Sequence, residues 1–323
     1  MELIDTRPST DNPPPVAETT VGALLRDAAT DSATLTAVIE GVPGARRRWT
    51  YAELLDRAEA TARLLLDRFN PGERLVVWAP SSPEWLWCEF GAALAGVVVV
   101  TANPALTPSE LRYVVEQSRA AGVVTVRRFR GAEHLAGARI LAAELPGIRE
   151  VLCLDDLEEL LADPGPVRPL PEVAPGDPFM IQYTSGTTGF PKGVGLTHRN
   201  VVNVARLLVD RLRAEPESVW VNPLPLFHVG GSVLNALGTL WLRAAHCPVE
   251  FEPAVVLELI EAERGSVLPA VPTMLIRLLD HPDRVGRNLS SLRRVLSGGT
   301  AVPAELVRRI RRELGVSYCV MCG

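Results

Sequence analysis

A chain of 323 residues, 47% of them hydrophobic, has material for one large domain or two medium ones around a sizeable core. Its formal net charge of −5 excludes the basic footprint expected of a non-specific nucleic-acid binder. No apolar run reaches the ~18 residues needed to span a bilayer.

Residues 1–18 are polar and rich in proline, lack the apolar stretch of a secretory signal, and read as a disordered lead-in. Four of the five cysteines lie in or beside apolar runs and read as small buried residues of a reduced, cytoplasmic protein. From Thr19 to Ala29 the apolar residues Val21, Leu24, Leu25 and Ala28 recur at helical spacing. Thr50 followed by Glu53 is a capping box, and Leu54, Leu55, Ala58, Ala62, Leu65 and Leu66 form the apolar face of the helix behind it.

Strands and helices then alternate. Residues 74–80 read as a buried strand, 83–95 as a helix, 96–103 as a strand, 108–119 as a helix capped by Thr107 or Ser109, and 122–127 as a strand. Residues 160–177, rich in proline and glycine, read as a loop, and 178–184 as a strand. Asn200 is expected to cap a helix running to Arg211. Further strands are expected at 218–224, 266–270 and 294–297, and helices at about 231–243, 253–264, 273–281 and 303–314. This alternation predicts an α/β protein of two mainly parallel sheets with helices on both faces. Such sheets bind ligands beyond the carboxyl ends of their strands.

The segment YTSGTTGFPKG (183–193) carries the strongest chemical signal. It follows a strand directly and combines the hydroxyls of Thr184, Ser185, Thr187 and Thr188 with Gly186, Gly189, Gly193 and Lys192. Glycines let backbone N–H groups approach a ligand closely, successive N–H groups form an anion nest, and a lysine adds a compact charge. Together these suit a polyphosphate. Lys192 is the only lysine among the 33 basic residues, in a chain that otherwise uses arginine throughout. The segment is not a Walker A loop, because Pro191 precedes Lys192 and Gly193 follows it where that motif needs Gly-Lys-Ser/Thr; a P-loop kinase or NTPase is therefore disfavoured.

This segment resembles the signature of the acyl-CoA synthetase, adenylation-domain and luciferase superfamily of adenylate-forming enzymes. Three later motifs occur in that superfamily's order: PLPLFHVGG (223–231), AVPTMLIRLLDHP (270–282) and LRRVLSGGTAVPAEL (292–306). The resemblance covers roughly residues 19–323 and is closest to fatty-acid and related acyl-CoA ligases. It implies one sheet at about 70–215 and another from about 19–69 and 216–323. It implies that a carboxylic acid attacks the α-phosphate of ATP, giving an acyl-adenylate and pyrophosphate, and that coenzyme A then takes the acyl group, with Mg2+ as cofactor. Thr184, Ser185, Gly186, Thr187, Thr188, Gly189 and Lys192 would bind the phosphates, and Gly298, Gly299 and Thr300 the adenine. His228, Thr273 and Gly298 would border the acyl group, with Lys192 and His228 as the catalytic residues.

Two departures from the superfamily pattern stand out. Cys322 occupies the place of an aromatic residue that stacks on adenine, so about 1 kcal/mol of stacking is expected to be lost. The Thr-Glu that normally follows, the ribose-binding Asp and the small C-terminal domain with its own lysine are not in the 323 residues. The expectation is therefore a chain that binds ATP weakly and turns over little alone, completed by a separate C-terminal domain or partner chain. The alternatives are a non-catalytic binder of nucleotide or acyl-adenylate, or a defunct remnant. Cys319 and Cys322 could also form a redox pair or half a metal site, a weak signal without a second pair nearby.

Overall fold

The computed structural model describes residues 15–44, 46–162, 169–184 and 191–321. The chain opens with helix α1 (Val21–Asp31), strands β1 (Thr36–Ile39) and β2 (Arg48–Thr50), and helix α2 (Tyr51–Leu66). Four strand–helix pairs follow: β3 (Arg74–Trp78) and α3 (Pro83–Ala95), β4 (Val98–Ala102) and α4 (Pro108–Ser118), β5 (Gly122–Thr125) and α5 (His134–Glu144), β6 (Glu150–Cys153) and α6 (Leu157–Ala162). Strands β7 (Pro178–Thr184) and β8 (Lys192–Thr197) lead into α7 (His198–Leu212). Then come β9 (Val219–Asn222), a π-helix (Gly230–Leu237) running into α8 (Gly238–Leu242), and β10 (Ala245–Pro248). The chain continues through α9 (Pro253–Ala262), β11 (Val267–Pro269), α10 (Pro272–Asp280), β12 (Arg294–Gly298), α11 (Ala304–Leu314) and β13 (Ser317–Met321).

The strands form two sheets. One has the order β6-β5-β3-β4-β7-β8, parallel except for the antiparallel β7–β8 hairpin at its edge. The other has the order β13-β12-β11-β9-β10-β1-β2, parallel except for the antiparallel β1–β2 pair. The expected α/β class with two mainly parallel sheets is thus observed.

Continuous apolar strands are buried on both faces because successive side chains point to opposite sides. Along β3 and β4, Leu75, Val77 and Val99 join the largest core cluster with α1, α2, α3 and the π-helix. The intervening Val76, Trp78, Val100 and Ala102 pack on the other face with Leu111, Val114 and Leu141 of α4 and α5. A separate cluster holds α9, α10 and α11 against the second sheet through Ile260, Leu275, Leu279, Val295 and Ile310.

Several local expectations need correction. The helix after β8 is capped by Thr197, whose Oγ1 accepts the Asn200 N–H; Asn200 is the reciprocal member of that capping box. The cap of α4 is Thr107, and Ser109 lies inside the helix. The strand read at 122–127 ends at Thr125, where the Arg127 N–H turns to the Asp155 carboxylate. The helix expected from about 231 opens as a π-helix, with Asn235 Nδ2 bonded to the Gly230 carbonyl inside it.

Of the lead-in, residues 1–14 lie outside the described residues. Residues 15–18 are tied to α7. The Ala17 N–H donates to Asn203 Oδ1 at 2.8 Å, Asn203 Nδ2 returns to the Ala17 carbonyl at 2.9 Å, and Glu18 pairs with Arg199 at 2.6 Å.

Candidate functional site

The loops with chemical promise leave the carboxyl ends of parallel strands. In the second sheet, β9, β11 and β12 are neighbours with Val267 level with Trp220 and with Arg294, and Pro269 level with Leu296. Their carboxyl ends lead to His228, Thr273 and Gly299-Thr300, so the topology brings these three segments to one edge. Neighbouring strands are about 4.8 Å apart, and three adjacent strand ends therefore span roughly 10 Å.

Lys192 enters through the β7–β8 hairpin, in which Tyr183 pairs with Gly193 and Thr184 with Lys192. These two expected phosphate ligands are thus paired across the hairpin, and both are exposed. Ser185, Gly186, Thr187, Thr188 and Gly189 lie outside the described residues, as does Cys322.

The hairpin is held from below. Thr101 Oγ1 on β4 donates to Gln182 Oε1 at 3.1 Å, and Tyr183 Oη donates to the Val114 carbonyl at 3.3 Å. Tyr113 Oη on α4 donates to the Pro191 carbonyl at 2.9 Å, while Gln117 Nε2 donates to that same hydroxyl. Burial pushes the Tyr183 phenol up to about 12, so it stays a neutral donor at neutral pH.

His228 occupies a tight turn between β9 and the π-helix. Its N–H donates to the Pro225 carbonyl at 3.1 Å, and its carbonyl accepts from Gly231 N at 2.9 Å and Ser232 N at 3.1 Å. The turn needs glycine at 231, because a Cβ there would stand 2.1 Å from the Pro225 carbonyl oxygen. The Gly230 N–H donates to His228 Nδ1 at 3.0 Å. That bond makes Nδ1 the acceptor nitrogen and leaves the neutral ring's hydrogen on Nε2. Desolvation by the surrounding protein lowers the His228 pKa from the ordinary histidine value, which favours this neutral form. The result is a fixed N–H donor suited to a carboxylate or acyl-phosphate oxygen. Leu226 N also donates to Ser81 Oγ, beyond β3, at 3.1 Å, so the turn is tied to the other sheet.

Thr273 is exposed in the first turn of α10, just after Pro272 opens that helix. Gly298 ends β12 level with Met321, and a Cβ on it would meet the Met321 carbonyl oxygen at 2.3 Å. Gly299 follows in the left-handed region at φ +78°, exposing the Gly299–Thr300 backbone at the strand end. Among the described residues, no group of three or more His, Cys, Asp or Glu side chains is placed to hold a metal ion. Those residues therefore do not by themselves make a protein cage for Mg2+. Motif reading missed Gln182, Tyr113, Ser81, Asn222 and His246, since their roles depend on cross-strand and inter-sheet contacts.

The two-sheet α/β domain, with Lys192 on the β7–β8 hairpin and the His228 turn beyond β9, can be set beside known proteins. The model of the AMP-binding enzyme family matches residues 25–322, and the chain belongs to that family. It is 32% identical to a putative acyl-CoA synthetase, YngI, of Bacillus subtilis, over 92% of this chain and 59% of that protein. It is 31% identical to the mitochondrial medium-chain acyl-CoA ligase ACSF2 of Bos taurus, over 85% of this chain and 50% of that protein. The chain thus spans between half and three-fifths of the length of these relatives. Among solved structures, it is similar to the inhibitor-bound N-terminal domain of FACL13 from Mycobacterium tuberculosis, with a TM-score of 0.84, 26% identity, and coverage of 95% of this chain and 75% of that one. ATP-bound MatB from Rhodopseudomonas palustris gives a TM-score of 0.82 at 28% identity, covering 95% of this chain and 60% of that one.

Proposed function

We propose that this chain provides the ATP- and acyl-binding part of an acid–thiol ligase. In that reaction a carboxylic acid of the fatty or related acyl class reacts with ATP to give an acyl-adenylate and pyrophosphate, and coenzyme A then displaces AMP to give a thioester. The observation that carries the reading is the placement of the only lysine opposite Thr184 in the β7–β8 hairpin. A compact cation beside hydroxyls and glycines suits the β- and γ-phosphates, and positioning and charge stabilisation supply most of what an in-line displacement at phosphorus needs.

In this reading Thr184, Ser185, Gly186, Thr187, Thr188, Gly189 and Lys192 hold the phosphates. Gly298, Gly299 and Thr300 lie against adenine, and His228 Nε2–H and Thr273 border the acyl carboxylate. Mg2+ enters with the nucleotide, because that ion is commonly held by substrate phosphates, waters and one or two carboxylates. The thioester step needs groups from the part of the relatives that this chain does not span, whether carried on the same polypeptide or on a partner. A cytoplasmic setting is supported by the free thiols of Cys88, Cys153, Cys247 and Cys319.

The test is carboxylate-dependent ATP–pyrophosphate exchange across a series of fatty acids, with the chain alone and with a relative's C-terminal part added. Exchange that rises on addition and needs Lys192 supports the reading. Absence of both exchange and ATP binding under every condition overturns it.

A further inference from the structure

A row of buried polar side chains lies behind the His228 turn, where a parallel-sheet core would ordinarily hold aliphatic ones. Asn222 ends β9, His246 lies on the adjacent β10 level with Trp220, and Thr239 lies on α8; each is at most 2% exposed. Thr239 Oγ1 donates to the Ala236 carbonyl at 2.8 Å, which leaves its lone pairs facing His246 Nδ1 at 3.4 Å. Asn222 Nδ2 stands 3.3 Å from His246 Nε2. An amide nitrogen can only donate, so Nε2 is the acceptor and the His246 hydrogen is on Nδ1, pointing to Thr239. One neutral tautomer satisfies the whole row.

The far end of the row grips the turn at two points. Asn222 Oδ1 accepts the Leu224 N–H at 3.0 Å, and Asn222 Nδ2 also reaches the Gly231 carbonyl at 3.5 Å. Leu224 and Gly231 bracket His228, and they are already pressed together, since Gly231 lies against the Pro225 and Leu224 carbonyls. His246 Nε2 orients the Asn222 amide; rotating that amide by half a turn would put its oxygen against the imidazole lone pair and its nitrogen against the Leu224 N–H. Complete burial drives the His246 pKa down to about 3, so the ring remains neutral and keeps this orientation.

We propose that Thr239, His246 and Asn222 are positioning residues, a buried relay that sets the conformation of the His228 turn and so aims His228 Nε2–H at the acyl end of the site. The relay touches no ligand. Its purpose rests on the reading above that His228 borders the acyl group, but its geometry does not.

The test uses the full chain, labelled with 15N in its histidine rings. Ring-nitrogen correlation spectra of the ligand-free protein should show His246 protonated on Nδ1 and His228 on Nε2. His246→Gln keeps an acceptor facing Asn222 and should leave the His228 signals in place. His246→Leu strands the Asn222 donor and should shift His228 to a mixture of tautomers. Thr239→Val provides a second, smaller lesion and should mix the tautomers of His246 itself.

Affinity for a sulfamoyl analogue of a medium-chain acyl-adenylate should fall roughly ten-fold in His246→Leu and recover in His246→Gln, with ATP affinity held within about two-fold. A wild-type His246 protonated on Nε2 overturns the relay. So does a folded His246→Leu protein whose His228 signals match the wild type. If the wild-type chain binds no analogue, the proposed function fails, and the spectra still decide the relay.

Discussion

The backbone N–H of Gly230 donates to Nδ1 of His228, two residues earlier, at 3.0 Å. A local bond thus sets the tautomer of a ring that a motif alone marks only as present. The bond depends on a turn so tight that residue 231 has no room for a Cβ. Gly231→Ala should therefore open the turn, lower stability by at least about 2 kcal/mol, and weaken an acyl-adenylate analogue more than ATP. Denaturant unfolding and calorimetric titration read the two effects. Equal losses for both ligands would mean that the turn does not serve the acyl end.

Tyr113 links α4 to the carbonyl of Pro191, next to Lys192. Tyr113→Phe removes this donor and leaves the ring in place. Stability should fall by about 1 kcal/mol and ATP affinity by roughly three- to five-fold, with analogue affinity little changed because the analogue lacks β- and γ-phosphates. Unchanged ATP affinity would show that this anchor is irrelevant to the hairpin's ligand.

Glu89, on α3, is fully buried, and neither carboxylate oxygen finds a hydrogen-bond partner among the described residues. Desolvation raises its pKa to about 8. The unfolded chain releases this proton near pH 4.5 while the folded chain keeps it to about 8, so the group makes folding less favourable as pH rises between those values. Glu89→Leu should stabilise the protein at pH 7.5 by on the order of 3 kcal/mol, and much less at pH 5. Unfolding free energies at the two pH values check this; a pH-independent difference would contradict it.

Burial acts oppositely on His198 and His246, lowering their pKa values to about 4 and about 3. Between those values and the unfolded value of about 6.5, the unfolded chain binds more protons, so stability falls as pH falls. His246→Gln should flatten this acid limb by up to about 1.4 kcal/mol per pH unit. Identical slopes in variant and wild type between pH 6 and 4.5 would show that His246 is not held neutral.

Local features with a chemical signature were legible in the sequence. The Thr50–Glu53 capping box forms with both reciprocal bonds, and the apolar runs of β3 and β4 are buried on both faces as their continuity implied. Thr184 and Lys192 were marked by residue type, and the register places them opposite each other. Other features rest on distant partners. The short strands β1 and β2 have little periodicity and exist because β1 finds β10 about 200 residues later. Asn200 lost its expected cap role to Thr197, since the helix starts where β8 ends. The π-helix follows from the close packing around Gly230 and Gly231, which hydrophobic spacing does not record. Asn222 and His246 belong to no sequence motif, and the pairing of β9 with β10 brings their side chains within reach of each other.

In the proposed function Lys192 clamps nucleotide phosphates. Calorimetric titration of the chain with MgATP and with an acyl-adenylate analogue, in wild type, Lys192→Ala and Lys192→Arg, tests it most directly. The wild type should bind both ligands saturably. Lys192→Ala should lose roughly ten-fold or more in ATP affinity and Lys192→Arg should recover part of it, with analogue affinity nearly unchanged in both variants. ATP binding by Lys192→Ala equal to that of the wild type would contradict it.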